Sequence, residues 1–597
     1  MPSRRAWFLL GIVIIPLVYS SAIIDPAFTP RAILLSVLTL ITIVATRNEP
    51  VRTSPLLWIW AAYAACNVAS IFVAQNSGEA IYYSSIVLLY GAWLFAVMQV
   101  KVKNIVSNVS RGIATLALLL SMIGLLQFFD LGFGFIPGGE EPYGTMLTKN
   151  LLSSFLFLTV PATFYCAIIE RREWRMVGIA ALLLTVFSIL ISQTRAVWLG
   201  GALFGIVFSL VFLLSKRRNE LWDRYRVAFR VPALGIAACV VAVFVFNVAP
   251  RTGSKAVSAI SKAETLTHYS SDTSSQMRLT VWKESIEMHR DHPLIGVGAG
   301  NWKIQLPHYG LGDFNDYIQN GSIQWTETHN DFLNALCETG IPGGLAYVAL
   351  FIAAIFLLLR SLRNASKPEE RFLSISIVAM LCGFMVISFF DFPKSRVEHS
   401  MLLMLWFGFV PARAAKAKTS FVWALPFILT IPALVLSFQR FSAETQEREV
   451  LQARADNDWQ KEIAECNKIY NAKLLSLDAL ATPILYYKAE GEFMQTNYDA
   501  SLRDNLKALK AFPNHFYTMN NIGSDYVKLG DDRTGESFYR KALAISPNFE
   551  ESLLNLTAIY FNRHQYDSAR MSLTRCDTSQ PNSRAAQYAA ALRKIRQ

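Results

Sequence analysis

The chain has 597 residues, 53% of them hydrophobic, and a mean hydropathy of +0.31, which is too apolar for a soluble protein of this size. Its net charge of +12 does not indicate nucleic-acid binding, because the basic residues collect in short loops on alternate sides of apolar runs. The seven cysteines form no CxxC pair and four lie in apolar runs, which excludes a zinc or disulfide framework; Cys466 and Cys576 would pair only in an oxidising compartment.

Apolar runs, most of them about 17–21 residues long and so able to cross a ~30 Å hydrocarbon core, fall at about 7–24, 30–46, 55–74, 80–100, 112–129, 150–169, 176–194, 196–215, 231–249, 342–360, 372–390, 400–412 and 421–437. They predict an all-α, polytopic transmembrane bundle of about thirteen spans. The first run follows Arg4 and Arg5 but no small-residue cleavage site follows it, so it reads as a retained helix. The last contains Pro426 and Pro432, and a re-entrant course is the alternative there. One set of loops carries Arg47 and Arg52; Lys101, Lys103 and Arg111; Arg171, Arg172 and Arg175; the basic run Lys216 to Arg230; Arg360, Arg363, Lys367 and Arg371; and Arg413, Lys416 and Lys418. By the positive-inside rule that side is cytoplasmic. Arg195, the long segment 250–341 and everything after residue 437 then lie outside.

The outer segments hold the polar residues suited to chemistry. Arg195, in ISQTRAVWLG, sits between two spans with almost no loop. Its planar fork suits phosphate oxygens, and snorkelling to the headgroups is the alternative. In segment 250–341, the pattern Met277, Leu279, Trp282, Ile286 predicts an amphipathic helix over about 275–290 lying along the membrane, with Arg278 and Trp282 on one face. Gly296, Gly298 and Gly300 follow Pro293 as a tight turn. With no βαβ unit they are not a nucleotide loop, although their N–H groups are able to approach a ligand. Five of the eight histidines lie here: His268, His289, His292, His308 and His329. His329, in ETHNDFLNALCETGIPGG, is the candidate base, neutral near pH 7 and able to take a proton from a hydroxyl. A helix is expected to begin near it and break at Gly340–Pro342, with Glu327 or Glu338 orienting the ring. The short outer loop FFDFPKSRVEH adds Asp391, Lys394 and Arg396, the last a possible third phosphate contact.

The tail carries an internal period. Pro513, Pro547 and Pro581 are 34 residues apart, each followed by asparagine, and Tyr498 and Tyr566 stand two periods apart. That period is the tetratricopeptide one. It divides the chain into a membrane domain, 1–437, and a helical-repeat domain, 438–597, with 444–478 adding a degenerate helix pair. Such arrays offer a concave surface to a protein partner; a rigid cap on the membrane domain is the alternative.

An exterior site has no ATP or nucleotide sugar, so a glycosyl donor must arrive activated, as on a polyprenyl diphosphate. Cationic groups then stabilise the leaving diphosphate and a base takes the acceptor proton. No outer aspartate cluster has metal-ligand spacing, so a metal-independent, cofactor-free site is expected. A transporter is the rival from another class; no inverted repeat is visible and the polar residues concentrate on one side. A non-enzymatic assembly scaffold is the further alternative.

SQTRAVWLG, MRLTVWKESIEMHRDHPLIGVGAGNW and ETHNDFLNALCETGIPGG, in that order and with the last two in one large outer loop, resemble the O-antigen ligase/O-antigen polymerase family of membrane glycosyltransferases over about residues 50–410. The resemblance implies a bacterial inner-membrane enzyme that transfers a glycan from undecaprenyl diphosphate on the periplasmic face, inverting the anomeric centre. The acceptor is lipid A–core sugar in the ligases, serine or threonine of a protein in oligosaccharyltransferases, and another glycan repeat in polymerases. It assigns catalysis to His329, Arg195 and Arg278. Substrate contacts fall to Arg195, Arg278, Arg396, Trp282 and Asn330. The repeat tail departs from the simpler ligases and leaves room for a protein partner.

Overall fold

The structure is a computed structural model that describes residues 3–100, 104–131, 141–215, 218–245, 273–310, 325–363, 365, 367–411, 413–414, 420–580 and 583–595. Lys101, Lys103, Lys216, Lys416, Lys418, His268, Pro581 and Asn582, named above, lie outside the described residues.

The described residues are helical nearly throughout. In chain order the helices are α1 (Ser3–Ile14), α2 (Phe28–Thr46), α3 (Pro55–Ser70), α4 (Ser77–Gln99), α5 (Ile105–Phe128), α6 (Lys149–Ile169), α7 (Glu173–Ile191), α8 (Arg195–Leu214), α9 (Arg218–Val245), α10 (Thr273–Asp291), α11 (Trp302–Tyr309), α12 (Asp331–Leu362), α13 (Pro368–Phe390), α14 (Val397–Gly408) and α15 (Ser420–Ala455). The tail follows with α16 (Trp459–Ile469), α17 (Ile484–Met494), α18 (Tyr498–Ala511), α19 (Phe516–Lys528), α20 (Asp532–Ile545), α21 (Glu550–Asn562), α22 (Tyr566–Leu573) and α23 (Arg584–Lys594).

Each of the predicted apolar runs overlaps a helix, although α1 ends at Ile14, well short of the end of the run 7–24, and α3 ends at Ser70. Ten of these, among the described residues, are long and apolar enough to cross a membrane: α2, α4 to α9, α12, α13 and α15. The helices α1, α3 and α14 are apolar but shorter, at 12, 16 and 12 residues. Local signals set the starts. Ser54 caps α3 ahead of Pro55, Asn76 caps α4 at the Glu79 N–H, and Thr148 caps α6 at the Leu151 N–H, each oxygen meeting a donor that the first turn leaves unpaired.

In the bundle α3 packs on α12, α8 on α13, α2 and α4 on α15, and α5, α6 and α7 on one another. Its core is dense in aromatic residues, and buried indoles find backbone partners: Trp93 donates to the Met401 carbonyl at 3.0 Å and Trp406 to the Leu158 carbonyl at 2.9 Å. α8 and α9 instead turn apolar side chains outward, with Ile206 64% and Leu234 71% exposed. Such a surface suits hydrocarbon rather than water.

The loops that carry basic residues meet at one end of the bundle. There Arg111 pairs with Glu170 at 2.6 Å, Arg224 with Glu369 at 3.1 Å and Arg371 with Glu220 at 3.2 Å, and Arg52–Thr53 forms a two-residue antiparallel ladder with Arg413–Ala414.

The boundary expected at 437/438 falls inside α15, which runs unbroken for 36 residues from the bundle into the tail. From α16 onward each helix packs on the next in sequence, and Pro513 and Pro547 fall in the turns that precede α19 and α21. Cys466 and Cys576 are free, as are the other five cysteines.

Candidate active site

The expected helix start and break at 330–342 are both present. Asn330 caps α12, its Oδ1 accepting from Phe332 N at 3.1 Å and Leu333 N at 2.9 Å. Gly340 departs from helical geometry with φ +67°, and a Cβ there would stand 2.3 Å from the Leu294 carbonyl oxygen, so only glycine fits. Asn330 was expected to touch substrate; its carbonyl oxygen is spent on the cap. His329, one residue earlier, is in the left-handed region at φ +52°, a conformation uncommon outside glycine.

Helix α10 is longer than expected, Thr273–Asp291, and its buried face is Val281, Ser285 and Met288. Leu279 and Ile286 stay exposed, at 48% and 43%. Trp282 does not stand at a free surface. Its Nε1 donates to the Thr328 carbonyl at 3.0 Å and its ring lies on Phe389 and Phe390. This fastens α10 to the strand of chain that ends in His329. Arg278, one turn earlier, makes no hydrogen bond or ion pair among the described residues. Its charge is nonetheless felt by two neighbours, since it opposes protonation of His329 and favours ionisation of Asp391.

His329 packs edge-on against Phe392, ring centroids 4.9 Å apart, and Trp325, 5.9 Å apart, and its Nδ1 is buried without a partner. Burial first, and the Arg278 charge second, push its pKa down to about 3, so the imidazole is neutral near pH 7. Neither Glu327 nor Glu338 orients the ring. Glu327 instead accepts from Ser395 Oγ at 2.9 Å, and burial pushes its carboxyl up to about 7. Asp391 is also raised by burial, with Oδ2 unpaired.

Arg195 starts α8 and donates to Ser275 Oγ at 3.2 Å, which lies three residues before Arg278 on α10. The structure therefore brings Arg195, Arg278, Trp282 and His329 to one place, with α10 as the common element.

Arg396 is the exception. Its fork is already filled by Asp25, at 2.7 and 3.1 Å, with Glu398 3.7 Å from Nε. Asp25 is held below the usual carboxylate range by that cation against the opposing effect of burial. Glu398 in turn meets Arg31 at 2.8 Å, and Arg31 also donates to the carbonyls of Val18, Pro16 and Thr145. Asp25 takes one N–H from each terminal nitrogen, so Arg396 ties loop 391–396 to the loop that holds Asp25, while its Nε is buried without a hydrogen-bond partner. A sequence signal for this network existed: Arg31 and Glu398 are charges at the edges of apolar runs, where an unpaired charge is not tolerated.

A cavity of about 70 Å³ opens beside Glu327, room for on the order of five waters. Its lining mixes charge with aromatic faces, chiefly Lys303, Glu327, Glu338, Lys394, Tyr63 and Tyr347. Lys394 Nζ lies 2.6 Å from Asn334 Oδ1 and its backbone N–H donates to the Asp331 carboxylate at 3.0 Å. Burial opposes the Lys394 charge, but Tyr63, Glu338 and Asp331 outweigh it and raise its pKa. The glycine turn forms a packing joint. Val297 and Gly298 N–H groups donate to the Cys337 and Glu338 carbonyls at 2.9 and 3.1 Å, and a Cβ on Gly300 would collide with the Tyr83 ring at 2.3 Å. Those N–H groups are not available to a ligand. Among the described residues no three His, Cys, Asp or Glu side chains gather as metal ligands.

The tail reaches this site. Met277 and Trp325, neighbours of Arg278 and His329, pack against Phe516, Met519 and Phe549 of the tail. Asn514 donates to the Ile304 carbonyl at 3.1 Å, Asn76 to Ser476 Oγ at 2.9 Å, and Glu79 holds both Lys303, at 2.9 Å, and Arg440. A cap on the membrane domain is the alternative given above for the tail; the residues that make the contact were not legible, because they lie hundreds of residues apart.

Residues 180–348 match the family described as O-Antigen ligase; the matched segment contains Arg195, Arg278, Trp282, His329 and Asn330 and ends before Arg396. Among curated relatives, an uncharacterized protein of Haemophilus influenzae is 20% identical over 366 residues, 60% of this chain and 84% of that protein. The exopolysaccharide production protein ExoQ of Rhizobium meliloti is 22% identical over 294 residues, covering 48% and 62% of the two chains. The general O-oligosaccharyltransferase of Acinetobacter baylyi is 24% identical over 244 residues, 40% of each chain. The match thus spans less than two thirds of either relative whose name states a role. The matched segment also holds the polar cluster, and over residues 180–348 this multi-pass, all-helical chain is similar to the O-antigen ligase family.

Proposed function

We propose that this chain is an O-antigen ligase-type glycosyltransferase of the bacterial inner membrane, moving a glycan from undecaprenyl diphosphate to lipid A–core on the periplasmic face. The observation that carries this reading is the placement of Arg278, a guanidinium with no protein partner among the described residues, beside a neutral His329, with Arg195 tied to the same helix. Two planar forks suit the phosphates of a lipid diphosphate at the end of the bundle. The acceptor hydroxyl oxygen bonds to the anomeric carbon from the face opposite the leaving group, so the centre inverts. The bond from that carbon to the diphosphate oxygen breaks, the acceptor proton passes to His329, and the polyprenyl diphosphate departs with the electron pair. No metal ion is assigned to the step.

A diphosphate laid against Arg278 cancels the charge that depresses His329, and so strengthens the base as the donor arrives. The larger contribution, burial, remains. The charged and aromatic cavity beside Glu327 receives an edge of the acceptor sugar, since aromatic faces and paired polar groups together fit a ring with many hydroxyls.

A protein acceptor is the second reading. It is favoured by the tail, read as a tetratricopeptide-like array with a peptide-binding surface, standing against Met277 and Trp325, and by the likeness to an O-oligosaccharyltransferase. The test is transfer in vitro by the purified full-length protein from one lipid-diphosphate-linked glycan to three acceptors: core lipid, peptide and free repeat unit. Transfer to core lipid supports the first reading. Transfer to peptide alone replaces it with the second, transfer to the repeat unit alone makes the chain a polymerase, and no transfer to any of them refutes a transferase.

A further inference from the structure

The end of the bundle remote from His329 holds a second built pocket, about 710 Å³ and open to the outside, between the ends of α5, α6, α7 and α9. It lies about 30 Å from the site, the length of the 21-residue α6. Four guanidiniums line it, Arg111, Arg171, Arg175 and Arg224, against two carboxylates, Glu170 and Glu369. The carboxylates are both engaged. Glu170 takes Arg111 at 2.6 Å and the Ser107 hydroxyl, and Glu369 takes Arg224 at 3.1 Å and the Tyr225 hydroxyl at 3.0 Å. Arg175 spends its Nε on the Glu170 backbone carbonyl at 2.9 Å, which leaves its charge uncompensated. Arg171 has no ion pair among the described residues, and Arg111 Nε is buried without a hydrogen-bond partner. Two positive charges are therefore left over at the mouth.

The pocket's flank is apolar. Ile179, Val227 and Val231 line it below the arginines, and α9 carries the apolar strip outward, with Val227 68% and Val231 55% exposed. A soluble anion has no use for such a wall. A lipid does, because its phosphate sits among the guanidiniums while its chains lie along α9. Basic pockets between membrane helices recognise anionic headgroups in this way.

We propose that the Arg111–Arg171–Arg175–Arg224 pocket binds an anionic glycerophospholipid, and that its two uncompensated charges select a headgroup with two phosphates over a zwitterionic one. The site is independent of the transfer chemistry, so its failure leaves the proposed function standing and the reverse also holds.

The test is native mass spectrometry of the full-length protein released from nanodiscs of phosphatidylcholine with a minor share of diphosphatidylglycerol. Two variants are compared: R171Q/R175Q, which leaves both ion pairs intact, and R363Q/K367Q, which removes the same charge outside the pocket. Preferential retention of diphosphatidylglycerol is expected, reduced about 30-fold in R171Q/R175Q and unchanged in R363Q/K367Q. The proposal is overturned by equal retention in R171Q/R175Q, by an equal loss in R363Q/K367Q, or by displacement of the lipid by millimolar inorganic phosphate. A polyprenyl phosphate that displaces the glycerophospholipid overturns the assigned class. Should R171Q/R175Q not fold, the unaltered protein still decides, since phosphatidylcholine competing as well as diphosphatidylglycerol overturns the proposal.

Discussion

Trp282 donates its indole N–H to the carbonyl of Thr328 at 3.0 Å, and so ties helix α10 to the residue immediately before His329. Arg278 is one turn away on α10 and Ser275, the partner of Arg195, is another turn back. This hydrogen bond helps keep both arginines in register with the imidazole, beside the packing of Val281 and Met288 on Trp302 and Cys337. Trp282→Phe keeps the ring on Phe389 and Phe390 and deletes the donor. With one hydrogen bond contributing ~1 kcal/mol, transfer is expected to slow about 5- to 10-fold with donor affinity nearly unchanged. Initial rates across a donor titration check this. A wild-type rate in W282F would show that the tie is not needed.

His329→Ala removes the proposed base and is expected to lower the transfer rate about 10²- to 10⁴-fold while donor binding survives. Arg278→Lys and Arg195→Lys keep the charge and lose the fork, so each is expected to weaken donor binding by about tenfold. The split is measured as diphosphate-lipid affinity against single-turnover rate. Arg278→Lys is expected to show the larger binding defect, because Arg278 has no protein partner among the described residues to share it with. Full donor affinity in both variants would remove the arginines from the diphosphate site.

Glu327 and His329 give opposite dependences on pH. The folded chain keeps a proton on Glu327 up to about 7, whereas an unperturbed glutamate releases it at 4.5. Its contribution to stability is whole below 4.5 and is lost as pH rises to about 7. His329 resists protonation down to about 3, against 6.5 unperturbed, so its contribution is whole above 6.5 and is lost as pH falls toward 3. Glu327→Gln cannot ionise and is expected to abolish the part of the stability loss that accompanies a rise from pH 5 to 8. Thermal unfolding of wild type and variant at the two pH values reads the difference. In the transfer assay the same variant is expected to lose any limb centred near pH 7, and His329 is expected to produce none between pH 5 and 8. A limb near 6.5 that vanishes in H329A would mean the ring is more solvated than its contacts with Phe392 and Trp325 indicate.

What the sequence carried and what it did not divide along a physical line. Length and apolar content located the helices, because crossing a membrane is a local demand on each run. The start of α12 and its break at Gly340 were legible for the same reason, since a cap and a left-handed glycine are local signals. The protein partners of Arg396, Asn330 and Trp282 were not. Arg396 finds Asp25 across 371 residues, and no pattern within a window reports which carboxylate will fill a fork. Asn330 was read as a ligand contact because a polar residue beside a candidate base suggests one, when the helix behind it needed an acceptor for two N–H groups. The tail's docking on Met277 and Trp325 was hidden similarly, as both belong to apolar clusters whose other members lie in the last hundred residues.

The buried pair Arg31–Glu398, 2.8 Å apart with both side chains at 0% exposure, makes the last prediction. Glu398→Ala strands a guanidinium in the bundle core and removes a neighbour of Arg396. Breaking one side of such a pair costs about 3–5 kcal/mol, so E398A is expected to unfold at clearly lower temperature and to transfer more slowly as loop 391–396 loosens. Replacing both partners by apolar side chains, R31M with E398L, leaves no stranded charge and is expected to recover most of the stability. Activity is expected to recover less, because Arg396 is still without Glu398 and is held by Asp25 alone. Full recovery of transfer in the double variant would mean that loop 391–396 is positioned by Asp25 and the Lys394 contacts without help from Glu398. A double variant as unstable as E398A would locate the cost in lost hydrogen bonds from Arg31 to the carbonyls of Val18, Pro16 and Thr145 rather than in the stranded charge.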